Sequence, residues 1–257
     1  MGTIDTRLHL GTDPDTEETL YLDIAKDPGL VIIAPVGAGK SYLAKSLTRQ
    51  ALDKGWEVAI FDPKRMAYRI FFPYLVHEPW LSNWRLSNAY EQFMDMANYL
   101  WSEFDCRMDY IESLNDFDID EWRGAGGLVP RLIIIDELQA FFTVLAGRME
   151  PNVAGKSVNV GKDMVKECQG QLASMLALFR ASGMVPVLIA QTGNTDTLPS
   201  NVKNNASAKV QLGNTITDAQ WVSLFGDNIP GGMPRFVGGV GKGVCQLAGE
   251  VKKVDIS

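Results

Sequence analysis

Residues 34–41 read Ala34-Pro-Val-Gly-Ala-Gly-Lys-Ser41, and the rest of the chain is organised around this stretch. The apolar run Leu30–Ile33 precedes it, and a helical pattern beginning at Tyr42 follows it. This order of strand, glycine-rich loop and helix is typical of a phosphate-binding loop, or P-loop. The first position is alanine where the strict pattern has glycine, which is tolerated if its φ stays negative. The alternative is a glycine-rich turn that happens to contain Gly-Lys-Ser.

The P-loop predicts contacts to a nucleoside triphosphate. Small residues let backbone N–H groups converge on phosphate oxygens, and the N-terminus of the next helix adds a partial positive charge. Lys40 would reach the β- and γ-phosphates, and the Ser41 hydroxyl would bind Mg²⁺. We therefore expect ATP and Mg²⁺ as cofactors. The predicted nucleotide-contacting residues are Pro35, Val36, Gly37, Ala38, Gly39, Lys40, Ser41 and Tyr42.

Composition is that of an ordinary soluble globular protein. Of the 257 residues, 46% are hydrophobic and 21% are charged, values that suit one α/β domain with a full core. No apolar run approaches the ~20 residues of a membrane span, and the polar N-terminus does not resemble a signal peptide. With three scattered cysteines, this predicts a cytoplasmic location. The net charge of −7 argues against a broad basic face for nucleic acid.

Alternating strands and helices predict an α/β fold, with a parallel sheet and helices on both faces. Strands are expected at 20–22, 30–33, 58–61, 132–135, 185–190, 209–212 and 243–247. Helices are expected at 41–53, 88–114, 162–182 and 218–225, with an irregular, aromatic-rich segment at 65–87.

Asp136 and Glu137 directly follow the apolar run 132–135. In a sheet of this kind, ligands gather at the carboxyl ends of the strands, where these acids fall. Asp136 would hold Mg²⁺, through water, beside Ser41. Glu137 would act as a general base on the water that attacks the γ-phosphate. The alternative is an acidic first turn of a helix, where Asp and Glu are favoured.

Gln191 ends the predicted strand 185–190. An amide at this position can contact both the γ-phosphate and the attacking water, and so report which nucleotide is bound. An ordinary glutamine at the start of a loop explains the sequence equally well.

The order of motifs resembles the motor domain of the FtsK/SpoIIIE family of DNA-translocating ATPases, within the HerA–FtsK group. The resemblance runs from about residue 19 to residue 248. Its segments are 23–26, the P-loop, 62–64, the helix with Glu103 and Arg107, 135–138, 179–183, Gln191 and 202–205. Each segment alone is a weak signal of the family, whereas the order and spacing of all the segments together are specific to it.

This resemblance implies an ASCE-type, RecA-like P-loop core that assembles into a ring, usually a hexamer, around double-stranded DNA. ATP would be hydrolysed between neighbouring subunits, with the roles of Lys40, Ser41, Asp136, Glu137 and Gln191 as given above. The family arginines expected after Gln191 and near residue 219 are absent here. The arginine finger is therefore unassigned, and Arg180 and Arg107 are the candidates. Either could instead be a solvated helix charge.

The resemblance divides the chain into an N-terminal extension packing on the motor (1–29), the P-loop ATPase motor domain (30–250) and a C-terminal tail (251–257). Nothing resembles the membrane-spanning or DNA-reading regions of full-length chromosome translocases. We therefore expect a double-stranded DNA translocase of a plasmid, phage or other mobile element, loaded by a separate partner protein. One alternative is an ATPase of the conjugation or type VII secretion branches, which moves single-stranded DNA or protein. Another is a nucleotide-dependent assembly factor.

A glycine- and asparagine-rich insert at 147–162 contains Arg148, Lys156 and Lys162. In an acidic chain, this small basic cluster is where a DNA phosphate backbone could be gripped without reading sequence. The alternative is a solvated surface loop.

Overall fold

The computed structural model describes residues 4–65, 67–114, 122–152, 155–213, 216–226 and 239–257. The strands are β1 (Arg7–Thr12), β2 (Thr19–Asp23), β3 (Leu30–Ile33), β4 (Glu57–Phe61), β5 (Arg131–Ile135), β6 (Met149–Pro151), β7 (Ser157–Asn159), β8 (Met184–Ala190), β9 (Ala208–Leu212), β10 (Lys242–Leu247) and β11 (Glu250–Asp255). The α-helices are α1 (Lys40–Asp53), α2 (Ala89–Ser113), α3 (Leu138–Ala146), α4 (Gly161–Leu178), α5 (Ser200–Asn205) and α6 (Asp218–Phe225). Short 3₁₀-helices cover Arg69–Tyr74 and Phe179–Ser182.

The main sheet has the strand order β2-β1-β11-β10-β9-β3-β8-β5-β4. From β9 to β4 neighbouring strands run parallel, whereas β10, β11, β1 and β2 are each antiparallel to their neighbours. The predicted P-loop α/β fold is confirmed, and the sheet is mixed rather than wholly parallel. Strand β8 separates the P-loop strand β3 from β5, which is the ASCE arrangement.

Parallel pairing brings the carboxyl ends of the central strands to one edge of the sheet. Ile33 at the end of β3 pairs with Ala190 at the end of β8, and Phe61 of β4 pairs with Ile135 of β5. The residues that follow these strands therefore meet at this edge, which we call the carboxyl edge.

Helices cover both faces of the parallel sheet, as predicted, because the central strands are apolar on both sides. Val31 and Ile33 belong to a core with α2, α3 and α4, whereas Leu30 and Ile32 belong to a second core with α1 and the β1–β2 hairpin. All four are at most 1% exposed, and full burial of such a side chain contributes about 1.5–3 kcal/mol. Among the described residues, no helix has the length and apolarity needed to cross a membrane.

Residues 251–257, predicted as a tail, contribute β11 to the middle of the antiparallel half of the sheet, between β10 and β1. Val254 and Ile256 are buried, at 0% and 6% exposed. This strand was not predicted from the sequence because Lys252 and Lys253 interrupt its apolar pattern. In the structure Lys252 pairs with Glu18 and Lys253 with Asp15. The division into extension, motor and tail remains a proposal.

The insert 147–162 contains a β-hairpin of β6 and β7, where a loop was predicted. Residues 153 and 154 of the insert lie outside the described residues. The helix predicted at 162–182 is α4 followed by a 3₁₀ turn that ends at Gly183, whose φ is 75°.

Candidate functional site

The P-loop connects β3 to α1 at the carboxyl edge. Gly37 and Gly39 have φ of 80° and 107°, conformations that favour glycine, whereas the Ala34 N–H donates to the Ala190 carbonyl at 3.1 Å as in a continuing strand. Alanine is thus accommodated at the first position of the motif. Residues 35–37 are exposed, Ala38 is buried, Lys40 and Ser41 are half-buried, and Tyr42 is 62% exposed.

The beginning of α1 suits an anion. The N–H groups of its first turn have no carbonyl partner within the helix, and Gly39, which precedes the first residue, offers no side-chain cap for them. They carry the partial positive charge of the helix N-terminus, and Lys40 stands at its first position.

The far side of the P-loop is supported by residues that the sequence reasoning did not single out. The Gly241 N–H donates to the Ala38 carbonyl at 3.1 Å, and the Ile256 N–H donates to the Gly241 carbonyl at 2.9 Å. A Cβ at Gly39 would lie 3.2 Å from Ile256 Cδ1 and 3.4 Å from the Gly241 backbone. Both ends of the β10–β11 hairpin therefore hold the loop in place.

Asp136 and Glu137 follow β5 and are buried, at 4% and 7% exposed. Glu137 has a φ of 60°, in the left-handed region, where a non-glycine residue costs about 1–3 kcal/mol. The Glu137 N–H donates to Asp136 Oδ1 at 2.7 Å, and the Tyr68 hydroxyl donates to Asp136 Oδ2 at 3.1 Å. Backbone strain at such a position is typical of functional sites.

Three side chains of the site contact the Glu137 carboxylate. Lys40 Nζ lies 2.7 Å from Glu137 Oε2, and Lys64 Nζ lies 2.6 Å from Oε1. The Gln191 amide also donates to Oε1. The structure thus brings together three predicted residues, Lys40 from the start of α1 and Glu137 and Gln191 from the ends of β5 and β8. It adds Lys64, for which the sequence predicted no role beyond a place in the segment that ends β4.

The pKa values of Asp136 and Glu137 shift in opposite directions, because burial dominates at Asp136 whereas the lysines together dominate at Glu137. Burial raises the pKa of Asp136, and the charge of Lys40 offsets only part of this effect. Burial also disfavours the Glu137 carboxylate, but hydrogen bonds and charge from Lys40 and Lys64 outweigh it and lower the pKa of Glu137. Glu137 is therefore held as a carboxylate, the form that can accept a proton. Burial and Asp136 raise the pKa of Tyr68 far above its usual value, so Tyr68 stays a donor.

These residues fit a magnesium nucleotide. The Asp136 carboxylate and the Ser41 hydroxyl are oxygen ligands of the kind that Mg²⁺ prefers. Lys40 and the first-turn N–H groups of α1 supply positive charge for phosphate oxygens. The role of Ser41 as a metal ligand remains a prediction.

The loop after β8 is tied to α3, which begins beside Glu137. Gln139 Oε1 accepts hydrogen bonds from the hydroxyls of Thr192 at 2.6 Å and Thr197 at 2.7 Å. Beyond them lies a cavity of about 530 Å³ between this loop, α3 and α4, lined in part by Lys162. The loop that follows Gln191 is therefore held against α3 by these two hydroxyl contacts.

Arg107 is 6% exposed, and its guanidinium lies beside the amino ends of β4, β5 and β8, away from the carboxyl edge. It donates to the carbonyls of Val129 at 2.9 Å and Ser182 at 3.0 Å, and to the Glu57 carboxylate at 2.7 Å. A guanidinium held in this way cannot extend into a neighbouring subunit, so we correct its assignment as a candidate finger and give it a structural role. Arg180 is exposed, on the 3₁₀ turn that precedes β8, and remains a proposal.

The Arg107→Ala variant should lose about 3 kcal/mol of unfolding free energy, the lower end of the range for breaking a buried pair. We expect the lower end because Arg131 still faces Glu57, with 2.7 Å between the charged groups. Urea unfolding would measure the loss. Arg85→Ala, an exposed control, should change stability by less than about 0.5 kcal/mol. Full stability of Arg107→Ala would contradict the structural role.

The predicted basic cluster of the insert is partly neutralised. Arg148 pairs with Glu91 at 2.7 Å and with Glu150 at 3.0 Å, so its charge is compensated within the chain. Lys156 and Lys162 are exposed. A contact of these residues with DNA remains a proposal that rests on the two lysines.

No protein-family model and no curated protein matches this sequence. Solved structures do match its fold. The conjugation coupling protein TcpA of pCW3, in a monomer form with ATPγS, has a TM-score of 0.74 and 16% identity, covering 98% of this chain and 65% of its own. The cytoplasmic domain of the type VII secretion ATPase EccC of Thermomonospora curvata has a TM-score of 0.69 and 17% identity, covering 98% of this chain and 28% of its own.

VirB4 of Thermoanaerobacter pseudethanolicus has a TM-score of 0.54 and 13% identity, covering 97% of this chain and 96% of its own. The chain thus spans under two thirds of the TcpA and EccC chains and nearly all of the VirB4 chain. At these identities the likeness confirms the P-loop ATPase fold. The finer resemblance to the FtsK/SpoIIIE family stays a prediction.

Proposed function

We propose that this chain hydrolyses ATP at the carboxyl edge of its sheet. The observation that carries the proposal is the contact of Lys40 and Gln191 with the buried Glu137 carboxylate. These are the groups that phosphate neutralisation, nucleotide sensing and proton abstraction require.

In this proposal each residue has one task. Lys40 and the P-loop N–H groups bind the β- and γ-phosphates, while Ser41 and Asp136 hold Mg²⁺. The metal, when bound, neutralises charge on the phosphate oxygens. Glu137 accepts a proton from the attacking water, and Gln191 orients that water. Tyr68 keeps the Asp136 carboxylate in place through its 3.1 Å hydrogen bond.

We further propose that hydrolysis drives transport of a polymer, single-stranded DNA or protein, as in the conjugation and type VII secretion branches. Support comes from the coverage of 97–98% of this chain by TcpA, EccC and VirB4. We expect a homo-oligomeric ring, hexameric as in the resembled family, with Arg180 reaching the neighbouring nucleotide. Transport of double-stranded DNA is the second candidate, favoured by the order of motifs at 23–26, 62–64 and 179–183.

Phosphate release measured with Mg²⁺ and ATP would test both the proposed ATP hydrolysis and the proposed polymer transport. We compare no polymer, single-stranded DNA, duplex DNA and an unfolded polypeptide, with the Glu137→Gln protein as a measure of contaminating activity. We expect single-stranded DNA or polypeptide to stimulate hydrolysis severalfold. Stimulation by duplex DNA alone would favour the second candidate. Hydrolysis that no polymer stimulates would favour a nucleotide-dependent assembly factor, and no hydrolysis would refute the enzyme itself.

Reversing both Lys156 and Lys162 to Glu tests the insert. Neither residue contacts Lys40, Glu137 or Gln191 in the described contacts, so hydrolysis without polymer should keep its rate. Stimulation by DNA should fall, and the remainder should depend less on salt because fewer phosphate contacts release fewer counterions. The control reverses Lys26 and Arg49, two exposed cations outside the insert. Full stimulation with an unchanged salt slope would mean that the insert does not touch DNA.

A further inference from the structure

Lys64 is held at the carboxyl edge by the turn that follows β4. Asp62 is 2% exposed and accepts two backbone hydrogen bonds, from the N–H of Arg65 at 3.0 Å and of Ala67 at 3.0 Å. The Asp62 side chain thereby closes the turn around Lys64. The position of Lys64 is consequently set by the buried end of β4.

Lys40 and Lys64 share a single carboxylate. Their ammonium groups lie 2.7 and 2.6 Å from the two oxygens of Glu137. The neighbouring Asp136 is occupied by hydrogen bonds from Tyr68 and from the Glu137 N–H. An anion that displaced Glu137 from between the lysines would therefore meet two cations.

Lys64 is the more exposed of the two cations. Its side chain is 44% exposed, against 11% for Lys40, and a lysine ammonium on its four-carbon stem can change partners without moving the backbone. Since both ammonium groups contact the Glu137 carboxylate, a phosphate bound by Lys40 would lie beside Lys64. A terminal phosphate carries more negative charge and more acceptor oxygens than one carboxylate, so it can compete with Glu137 for an ammonium group.

We propose that Lys64 is a second phosphate-binding lysine that exchanges Glu137 for the γ-phosphate, so that the site distinguishes ATP from ADP. This inference rests on the proposed function and extends it to control of the general base. When Lys64 leaves, the Gln191 amide is the one partner of Glu137 Oε1 that remains among the described residues, and this oxygen becomes accessible to water. ADP lacks the terminal phosphate, so Lys64 stays with Glu137.

The Lys64→Met variant tests this exchange by nucleotide binding. We expect affinity for ATPγS in the presence of Mg²⁺ to fall about tenfold, equivalent to about 1.4 kcal/mol. Affinity for ADP should change by less than twofold. Lys64→Arg should recover most of the ATPγS affinity, because it keeps the charge. Titration calorimetry would give each constant, and steady-state hydrolysis should show a raised KM as well as a lowered kcat.

Lys54→Met is the matched control, since Lys54 also pairs with a carboxylate, Asp5, but at the other end of α1. It should bind both nucleotides normally. Equal weakening of ATPγS and ADP in Lys64→Met, or no weakening of either, would overturn the exchange and leave Lys64 as a clamp on Glu137. Failure of the native protein to bind either nucleotide would instead refute the proposed function, which separates the two failures.

Discussion

The Glu137→Gln protein should hydrolyse ATP at least about 100-fold more slowly than the native protein while still binding ATP. General-base catalysis contributes about 10²–10⁴-fold, and a glutamine amide cannot accept the proton of the attacking water. Lys40, Ser41 and Asp136 are unchanged, so the predicted phosphate and metal contacts remain. Calorimetric titration with ATP and steady-state phosphate release would measure the two effects separately.

Glu112→Gln, an exposed substitution on α2, provides the control for the same chemical change away from the site. It should leave both measurements unchanged. If Glu137→Gln kept turnover within about threefold of the native rate, Glu137 would not be the general base, and its contacts with Lys40 and Lys64 would be structural.

The Lys40→Ala protein should lose both hydrolysis and tight binding of nucleotide. The substitution removes the charge that neutralises the β- and γ-phosphates and one of the two lysines that pair with Glu137. A hydrogen bond from a charged group is worth about 1.5–3 kcal/mol, so affinity for ATP should fall about 10- to 100-fold. Hydrolysis should be undetectable, because the lost charge also stabilises the transition state. The same calorimetric and phosphate-release measurements apply.

Lys45→Ala is the matched control for this variant, since it removes a lysine from the next turn of the same helix. Its affinity for ATP should stay within about twofold of the native value. If Lys40→Ala bound ATP as tightly as this control, the ammonium of Lys40 would not contact phosphate, and the role of the P-loop would need revision.

The sequence alone predicted the parts of this protein that are decided over a few residues. The P-loop depends on an apolar strand, on glycines that adopt positive φ and on a helix start, all within residues 30–42. The run 132–135 was recognised as a buried strand because it is apolar without interruption. Since the carboxyl ends of parallel strands share one edge, the meeting of Lys40, Glu137 and Gln191 followed from these local assignments.

The pairing of charged side chains became visible in the folded structure and could not be predicted from the sequence. Lys64 and Glu137 are 73 residues apart, and Arg107 is 50 residues from Glu57. Lys64 is a solvent-accessible lysine in the site, whereas Arg107 is a buried structural arginine. The sequence does not show whether a charged residue is solvated or paired, because its partner depends on how distant segments pack. For the same reason residues 251–257 read as a tail in the sequence. In the fold Lys252 pairs with Glu18 and Lys253 with Asp15, and both lysines belong to β11, which pairs with β10.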